Sequence, residues 1–370
     1  MSADSIVLFA EDPGAANCIA PVAEALAQSG TPTVLWASGH ALATLRGRGL
    51  AVQELTRAAQ AIGAWAVAPP RWLLVGTSEN LDSPAFELTA AARARGIATA
   101  AIIDAAANAA HRFRGRDQFA LRHAPEWLLV PDAVTAAEFV RLGHAPARVI
   151  EVGHPHFDYL RAARARLESL GRDALRARCV PQAGARFVLV FVSEISTGLD
   201  PQQYRRSRDY TLHGRGDAEG RTGIVVEELV DAVAHLAGSG VARPWMVLRR
   251  HPKEAPEALA ALAGAFDQQS AGGEPLELLY AADLVVGMTT MALAEAHLSG
   301  VPTLSVLPRD AERDWLPMIR SGAIDSAVDR EELRRKLRER LQAPPARGQA
   351  PRVAVRSSTR RILDFLGVLP

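Results

Sequence analysis

Along most of the chain, short apolar runs alternate with longer segments in which apolar residues recur every three or four positions. In the first half the apolar runs lie at residues 5–10, 31–38, 72–77, 98–104, 126–132 and 148–152. These runs lack the apolar–polar alternation of a half-exposed strand, whereas residues 15–29 have the spacing of a helix with one buried face. Strands buried on both faces and separated by helices are typical of a parallel sheet. The pattern therefore predicts an α/β unit in the first half.

The same alternation restarts after a connector at residues 180–186 that contains proline and glycine. A helix is predicted before the connector, at residues 157–179. After it, strands are predicted at 186–194, 245–254, 284–286 and 303–307, and helices at 222–237, 331–341 and 356–370. We expect an N-terminal Rossmann-like domain at residues 1–160, a C-terminal one at 161–350, and a final helix within 351–370 that packs back toward the first domain. The polar segment 196–222 is interpreted as a lid over a ligand, because structureless connections of that length are usually functional or disordered.

Composition and charge narrow the class of protein further. At 370 residues, 48% hydrophobic and 22% charged, the chain suits a soluble protein of two domains. Its net charge of +1 gives no global attraction to nucleic acid or to an anionic membrane surface. The apolar runs have the length of strands, so no integral membrane segment is expected, and the N-terminus lacks the features of a secretion signal. Cys18 and Cys179 make neither a disulfide framework nor a metal site.

The turn after the first strand is the first candidate for chemistry. It contains Glu11, Asp12 and Gly14, and Asn17 follows in the next helix. Ligands gather at the carboxyl ends of parallel strands, so these residues are predicted at the mouth of a cleft. Asp12 could deprotonate an acceptor hydroxyl as a general base, or it could only cap the helix.

Two more segments at strand ends are candidates for the same edge. Asp104 ends a predicted strand, and Asn108 and Arg112 follow it. Arg112 is interpreted as an anchor for a carboxylate or phosphate, with a solvated surface arginine as the alternative. His154, in a Gly-His-Pro turn near the domain junction, either lines the cleft or belongs to a purely structural turn.

The second half offers a concentrated group of cations. The strand at 245–254 ends in Arg249, Arg250, His251 and Lys253, and the strand before it ends in Ser193 and Glu194. An imidazole titrates near neutral pH, so His251 could hydrogen-bond a phosphate or protonate a leaving phosphate oxygen. A solvated charged edge is the alternative.

The segment from Ala281 to Pro302 carries the complementary feature. Its strand breaks at Gly287, and Thr289 and Thr290 stand where a helix begins. Hydroxyls, free backbone N–H groups and the helix dipole can together bind a phosphate, although the same residues could only cap the helix. Glu295, further along the helix, could hold ribose or sugar hydroxyls. With His251 one strand earlier, the two segments predict a two-sided phosphate clamp.

These motifs, in the order DPGAAN, VGHPHFD, RRHPKE and ADLVVGMTTMALAEAHLSGVPTLSV, resemble the GT-B fold of two Rossmann-like domains with parallel sheets facing a central cleft. The likeness is to enzymes of the surface-polysaccharide and capsule type. The VGHPHFDYL segment is similar to the G-N-P-x-x-D segment of the non-hydrolysing UDP-N-acetylglucosamine 2-epimerases and of glycerophosphotransferase-like enzymes. The Asp12 turn, His251-Pro252 and Thr289-Thr290 resemble motifs of bacterial sialyltransferase-like enzymes, and this resemblance implies that Asp12 is the base and that His251 and the threonines hold the donor phosphate.

The resemblance implies an inverting, metal-independent glycosyltransferase, hexosyl- or sialyl-type, that acts in surface glycan biosynthesis. Its substrates would be a nucleotide-sugar donor and a glycan or lipid-linked acceptor, with no cofactor and no metal. Two alternatives remain, an NDP-sugar 2-epimerase or hydrolase and a non-catalytic nucleotide-sugar or glycan-binding protein on the same scaffold. His154 stands where the epimerases have asparagine, and Met288-Thr289 replaces their Gly-Gly. A cytoplasmic location is expected, with attachment to the inner membrane face and homodimerisation left open.

Overall fold

A computed structural model describes residues 4–105, 107–195, 206–216, 218, 220–255, 257–271, 275–343 and 357–368. The strands are β1 Ile6–Ala10, β2 Thr33–Ala37, β3 Gln53–Glu54, β4 Trp72–Gly76, β5 Ala98–Ile102, β6 Trp127–Val130, β7 Val149–Glu151, β8 Val188–Val192, β9 Trp245–Arg249, β10 Gln268–Ser270, β11 Leu284–Gly287, β12 Thr303–Val306 and β13 Ser326–Ala327. The helices are α1 Pro13–Gln28, α2 Gly39–Gly47, α3 Ala58–Trp65, α4 Pro84–Ala94, α5 Ala133–Arg141, α6 Pro155–Leu170, α7 Arg172–Cys179, α8 Arg221–Gly238, α9 Ala260–Ala263, α10 Leu276–Ala281, α11 Met291–Leu298, α12 Pro317–Arg320, α13 Arg330–Gln342 and α14 Ser358–Phe365.

The chain divides into two compact units, one of residues 1–159 with 354–370, the other of residues 160–353. The first contains a seven-stranded sheet in the order β3-β2-β1-β4-β5-β6-β7, and the second a six-stranded sheet in the order β10-β9-β8-β11-β12-β13. Every strand pair in both sheets is parallel. The predicted α/β fold class is thereby confirmed, and each long apolar run of the sequence forms a strand.

The core of the N-terminal unit includes the last helix of the chain. Ile362 of α14 is fully buried in the same apolar cluster as β1 and α1. The Phe365 ring lies 5.2 Å from the Trp72 ring and 5.3 Å from the Trp127 ring. Asp158 accepts hydrogen bonds from the Ser357 hydroxyl at 2.7 Å and from the Thr359 N–H at 2.8 Å, which fixes the beginning of α14.

In the C-terminal unit an acid at the start of β11 ties a helix to the sheet. The carboxylate of Asp283 accepts hydrogen bonds from the Val188 N–H and from Arg176, each at 2.8 Å, and it also pairs with Arg172. Burial alone would raise the pKa of Asp283, but the strand amide and the two arginines outweigh burial and hold it below its usual value.

Two predictions of element boundaries need correction. The single helix predicted over residues 157–179 is two helices, α6 and α7, because Gly171 between them has φ +76°, which no right-handed helix contains. The helix predicted from residue 222 begins at Arg221, at the end of the polar segment. Of the predicted lid at 196–222, residues 196–205, 217 and 219 lie outside the described residues, and in the described part Tyr210 and Leu212 are buried in the core of the C-terminal unit.

Candidate functional site

Each sheet has one point at which the strand order reverses. In the first sheet that point lies between β1 and β4, and in the second it lies between β8 and β11. Successive crossover connections leave in opposite directions there, so a crevice opens at the carboxyl ends of the two strands, where open α/β sheets bind ligands. The residues that follow β1, β4, β8 and β11 are therefore the candidates for function.

Asp12 follows β1 at the switch point of the N-terminal unit. It occupies the N-cap position of α1, yet its side chain makes no capping hydrogen bond. Its carboxylate accepts a hydrogen bond from the hydroxyl of Ser78, which follows β4, at 3.0 Å. The carboxylate is thus oriented by the neighbouring strand end rather than by the helix. Glu11, one residue earlier, accepts the Ala41 N–H through its carbonyl oxygen at 2.9 Å.

Asp104, Arg112 and Thr77 form a buried polar cluster beside Asp12. Arg112 is 5% exposed and donates to the Asp104 carboxylate at 2.5 Å and to the Thr77 hydroxyl at 2.8 Å, while Thr77 donates to the same carboxylate oxygen at 2.8 Å. Gly14 faces this cluster so closely that a Cβ there would lie 2.1 Å from Asp104 Oδ2. Arg112, predicted as an anchor for an anionic ligand, is ion-paired inside the unit, and the alternative of a solvated surface arginine is wrong.

His154 lies on the inner side of this cluster. It is 5% exposed, its ring stacks on Phe157 at 4.6 Å, and its Nε2 lies 2.9 Å from the Asp104 carbonyl oxygen. Its ring nitrogens lie 3.8 and 4.0 Å from the Sγ of Cys18. Burial raises the pKa of this thiol well above its usual value. These contacts indicate a structural role for His154, whose ring is packed in the interior and hydrogen-bonded to the backbone of Asp104.

The remaining residues predicted for the acceptor side have contacts of their own. Asn17 accepts a hydrogen bond from Arg48 at 3.0 Å. Asn108 adopts a left-handed backbone with φ 60° and donates to Glu79 at 2.8 Å. The structure thus brings Asp12, Gly14, Asp104, Arg112 and His154 together, whereas Asn17 contacts Arg48 and Asn108 contacts Glu79.

In the C-terminal unit, Glu194 follows β8 and reaches across the switch point to the end of β11. Its carboxylate accepts the Thr289 N–H, and the Thr289 hydroxyl lies 3.1 Å from the second carboxylate oxygen. Arg221, at the start of α8, donates to Glu194 at 2.6 Å, to Glu312 at 2.6 Å and to the Thr289 hydroxyl at 2.9 Å. The N–H group that the sequence assigns to a donor phosphate is thus occupied by an internal carboxylate in this structure.

Thr290 and Gly287 define the rest of this turn. The Thr290 hydroxyl caps α11 by accepting the Ala292 N–H at 3.3 Å. A Cβ at Gly287 would lie 2.6 Å from the Val192 side chain, so β8 and β11 approach closely here. Both the capping alternative and the close approach are therefore observed.

Ser193, the residue before Glu194, holds the turn that contains His251. The Ser193 hydroxyl accepts the His251 N–H at 2.9 Å and donates to the carboxylate of Glu254 at 2.7 Å. The Nδ1 of His251 accepts the Lys253 N–H at 3.1 Å. A neutral imidazole that accepts at Nδ1 carries its proton on Nε2, so this turn presents His251 as a hydrogen-bond donor through Nε2.

Arg249 and Arg250, two of the cations beside His251, each have a carboxylate nearby. Arg249 is 8% exposed and donates to the Ser270 hydroxyl at 3.0 Å. Burial lowers the pKa of Arg249, and the negative charge of Glu295 opposes that shift. Arg250 lies 3.8 Å from the Glu254 carboxylate. The positive edge inferred from the sequence is therefore smaller than the count of arginines indicates.

Sequence reasoning missed Arg221, Glu312 and Ser78. Arg221 was assigned to the polar segment, and its partners Glu194 and Glu312 lie 27 and 91 positions away along the chain. The only local signal was an arginine at the start of an amphipathic helix, which is usually exposed. Among the described residues, no group of three or more His, Cys, Asp or Glu side chains is arranged to hold a metal ion. No helix in the described ranges is long and apolar enough to cross a membrane.

The two parallel-sheet units define a protein of the GT-B-type fold. A UDP-GlcNAc 2-epimerase from Neisseria meningitidis, solved with UDP-GlcNAc bound, matches over 98% of this chain and 99% of its own, with a TM-score of 0.68 and 14% identity. MurG of Acinetobacter baumannii matches over 99% and 100% with a TM-score of 0.52 and 13% identity, and the glycosyltransferase of kitacinnamycin over 99% and 99% with 0.53 and 15%. Comparison of the sequence with protein-family models and with curated proteins gives no match. Identities this low show a shared fold and no more.

Proposed function

We propose that this protein is a nucleotide-sugar-dependent glycosyltransferase that inverts the configuration at the anomeric carbon and needs no metal. The observation that supports the proposal is the pair of switch points. The first carries a carboxylate, Asp12, held by a hydroxyl at the adjacent strand end. At the second, Ser193 after β8 holds the turn after β9 that presents His251 as a donor through Nε2, and Glu194 accepts the Thr289 N–H of the turn after β11. A base for an acceptor and hydrogen-bond donors for a leaving phosphate are the two requirements of metal-independent glycosyl transfer.

The proposed chemistry assigns one role to each unit. Asp12 takes the proton of the acceptor hydroxyl as its oxygen forms a bond to the anomeric carbon. The bond between that carbon and the donor phosphate oxygen breaks, and the leaving phosphate receives the electron pair. The Nε2–H of His251 and the hydroxyl of Thr290 stabilise the negative charge that develops there.

The first test is donor binding by the full chain. In a thermal-shift screen with UDP-, GDP-, CDP- and CMP-sugars, a true donor at about 100 times its dissociation constant should add about 2.7 kcal/mol of stability. UDP-GlcNAc is the first choice, because the Neisseria structure contains it. His251→Ala should abolish the shift, and the exposed helical His235, changed to alanine, is the matched control. No shift with any donor would reject the proposal.

The second test separates transfer from binding. Asp12→Asn keeps the shape of the side chain and its hydrogen bond to Ser78 but cannot accept a proton, so donor binding should persist while transfer falls by about 10²–10⁴-fold. Equal transfer rates for Asp12→Asn and the unaltered protein would remove Asp12 from the role of base.

A 2-epimerase or hydrolase is the second candidate, because the structures of UDP-GlcNAc 2-epimerases match with TM-scores of 0.61 to 0.68, against 0.52 and 0.53 for MurG and the kitacinnamycin enzyme. Incubation with the nucleotide sugar alone distinguishes the two. An epimerase converts the donor without an acceptor, and a transferase leaves it nearly unchanged. Proton NMR of the anomeric region measures the products directly.

A further inference from the structure

The N-terminal unit contains an open groove with a volume of about 730 Å³, and none of the sequence motifs lies in it. It is lined by the starts of α3 and α4 and by the segment that follows β5, with Arg57, Asp82, Phe86, Glu87, Arg116 and His123 as its principal side chains. All three segments follow strands of one parallel sheet, so the groove lies along the carboxyl edge that also carries Asp12.

The charges of the groove cancel. Arg116 and Asp82 form a bidentate pair, with Nε–Oδ1 at 2.7 Å and Nη2–Oδ2 at 2.5 Å, and both side chains are about 70% exposed. Arg57 and Glu87 add one charge of each sign. An anionic ligand would meet two carboxylates here and a cationic one two guanidinium groups. A ligand with hydroxyls, which both donate and accept, can use all four side chains.

The groove also has an aromatic surface. The rings of Phe86 and His123 stack with centroids 4.6 Å apart and an angle of 17° between their planes. Burial lowers the pKa of His123, and the nearby charge of Arg122 acts in the same direction. The lowered pKa favours the neutral imidazole, and the pair offers a flat face with little charge, suited to the C–H face of a sugar ring.

A chain of contacts connects the groove to Asp12. A small, partly open cavity of about 10 Å³, enough for about one water molecule, shares Ser83, Phe86 and His123 with the groove and is also lined by Ser78. Ser78 donates the hydrogen bond that orients Asp12. A ligand in the groove would thus lie along the same edge as the carboxylate proposed to act on it.

We propose that the groove is the acceptor subsite and binds a neutral, polyhydroxylated segment of a glycan. This inference rests on the proposed glycosyl transfer for its biological meaning, but the binding itself is independent of it. It also explains how an acceptor is recognised when Arg112 and His154, the residues predicted for this role, are each only 5% exposed.

The test measures saccharide binding to the full chain by saturation-transfer NMR. The probes are neutral disaccharides (chitobiose, cellobiose, lactose and maltose) at millimolar concentration, with glucuronic acid and N-acetylneuraminic acid as anionic comparisons. The variant Asp82→Ala with Arg116→Ala removes the exposed ion pair without changing net charge and should weaken binding by about tenfold or more. Glu138→Ala with Arg141→Ala removes a similar exposed pair from α5 and should change nothing.

The outcomes decide between the possibilities. Binding of a neutral disaccharide that the groove variant weakens and the α5 variant leaves intact supports the proposal. No binding of any neutral probe, a preference for the acidic sugars, or equal affinity of both variants overturns it. The donor thermal-shift screen is separate. A donor shift without saccharide binding rejects the acceptor subsite but leaves the proposed transferase function standing. Saccharide binding without a donor shift rejects the transferase function and leaves the groove as a saccharide site.

Discussion

Replacing the buried arginine at the start of α8 is the most stringent test of what stabilises the C-terminal unit. Arg221 is 1% exposed, and Glu312, one of its partners, is fully buried. Replacing Arg221 with methionine keeps most of the side-chain volume but removes the positive charge and the hydrogen bonds to Glu194, Glu312 and Thr289. Two carboxylates would then lie in the interior with fewer donors.

The size of the effect follows from what remains. Breaking a buried ion pair from one side costs about 3–5 kcal/mol, because the other charge is left without compensation. Glu312 keeps Arg309 at 3.0 Å, and Glu194 keeps the Thr289 donors. We therefore expect about 3 kcal/mol, the lower end of that range, or roughly a hundredfold change in the unfolding equilibrium.

The deficit should depend on pH. Burial raises the pKa of Glu312, and Arg221 opposes that rise. Without Arg221 the pKa of Glu312 in the folded state should increase further, so the folded state would bind a proton that the unfolded state does not. Stability then falls as pH rises through the window between the unfolded and the folded pKa. The Arg221→Met deficit should accordingly be smaller at pH 5 than at pH 8.

Hydrogen exchange resolved by mass spectrometry is the appropriate assay, because it reports β8 and β11 separately from the N-terminal unit. Arg215→Met is the matched control. Arg215 pairs with Asp231 at 2.6 Å, but the two side chains are 49% and 39% exposed, so its loss should cost less than about 1 kcal/mol. Equal losses of protection in the two variants would refute the argument from burial.

Three further expectations follow from single contacts. Ser193→Ala removes the hydroxyl that accepts the His251 N–H. Calorimetric titration should show about tenfold weaker nucleotide-sugar binding, the contribution of one hydrogen bond. Unchanged affinity would mean that this hydrogen bond does not position His251 for binding. Gly14→Ala places Cβ 2.1 Å from Asp104 Oδ2 and should destabilise by about 1–3 kcal/mol, whereas Gly63→Ala, which meets nothing within 4 Å in α3, should be neutral or stabilising; equal unfolding midpoints would contradict the steric argument. The pKa of Asp283 is held below its usual 3.8 in the folded state, so its contribution is present above that value and lost as pH falls through the folded pKa. Asp283→Asn should therefore show a shallower acid loss of stability, and parallel curves would contradict this.

The fold was accessible from the sequence because both sheets are parallel and buried on both faces. Strands such as Val188–Val192 are continuous apolar runs that no other element of this length explains. The short edge strand Gln53–Glu54 was missed, since two exposed polar residues carry no apolar signal. The break at Gly171 was missed because one glycine within a helical pattern is often tolerated.

The candidate site was accessible only in part. Strand ends identify which residues share an edge, and this reasoning placed Asp12, Ser193 and His251 at the carboxyl ends of strands. Sequence does not show which charges neutralise one another. The run at 249–253 predicted more positive potential than the structure retains, because Arg250 lies beside the carboxylate of Glu254. The partners of Arg221 are distant in the sequence and become neighbours only in the folded unit.

The contribution of α14 to the N-terminal core has a consequence for synthesis. Domains usually fold in the order in which they leave the ribosome. Here Ile362 and Phe365 pack beside strands that are made before the C-terminal unit, so the whole C-terminal unit is synthesised in the interval. At about 5–20 residues per second that interval is about 10–40 s. Of the two units, the N-terminal one therefore begins first and completes its core second, and the nascent chain would leave an apolar surface exposed until α14 is made.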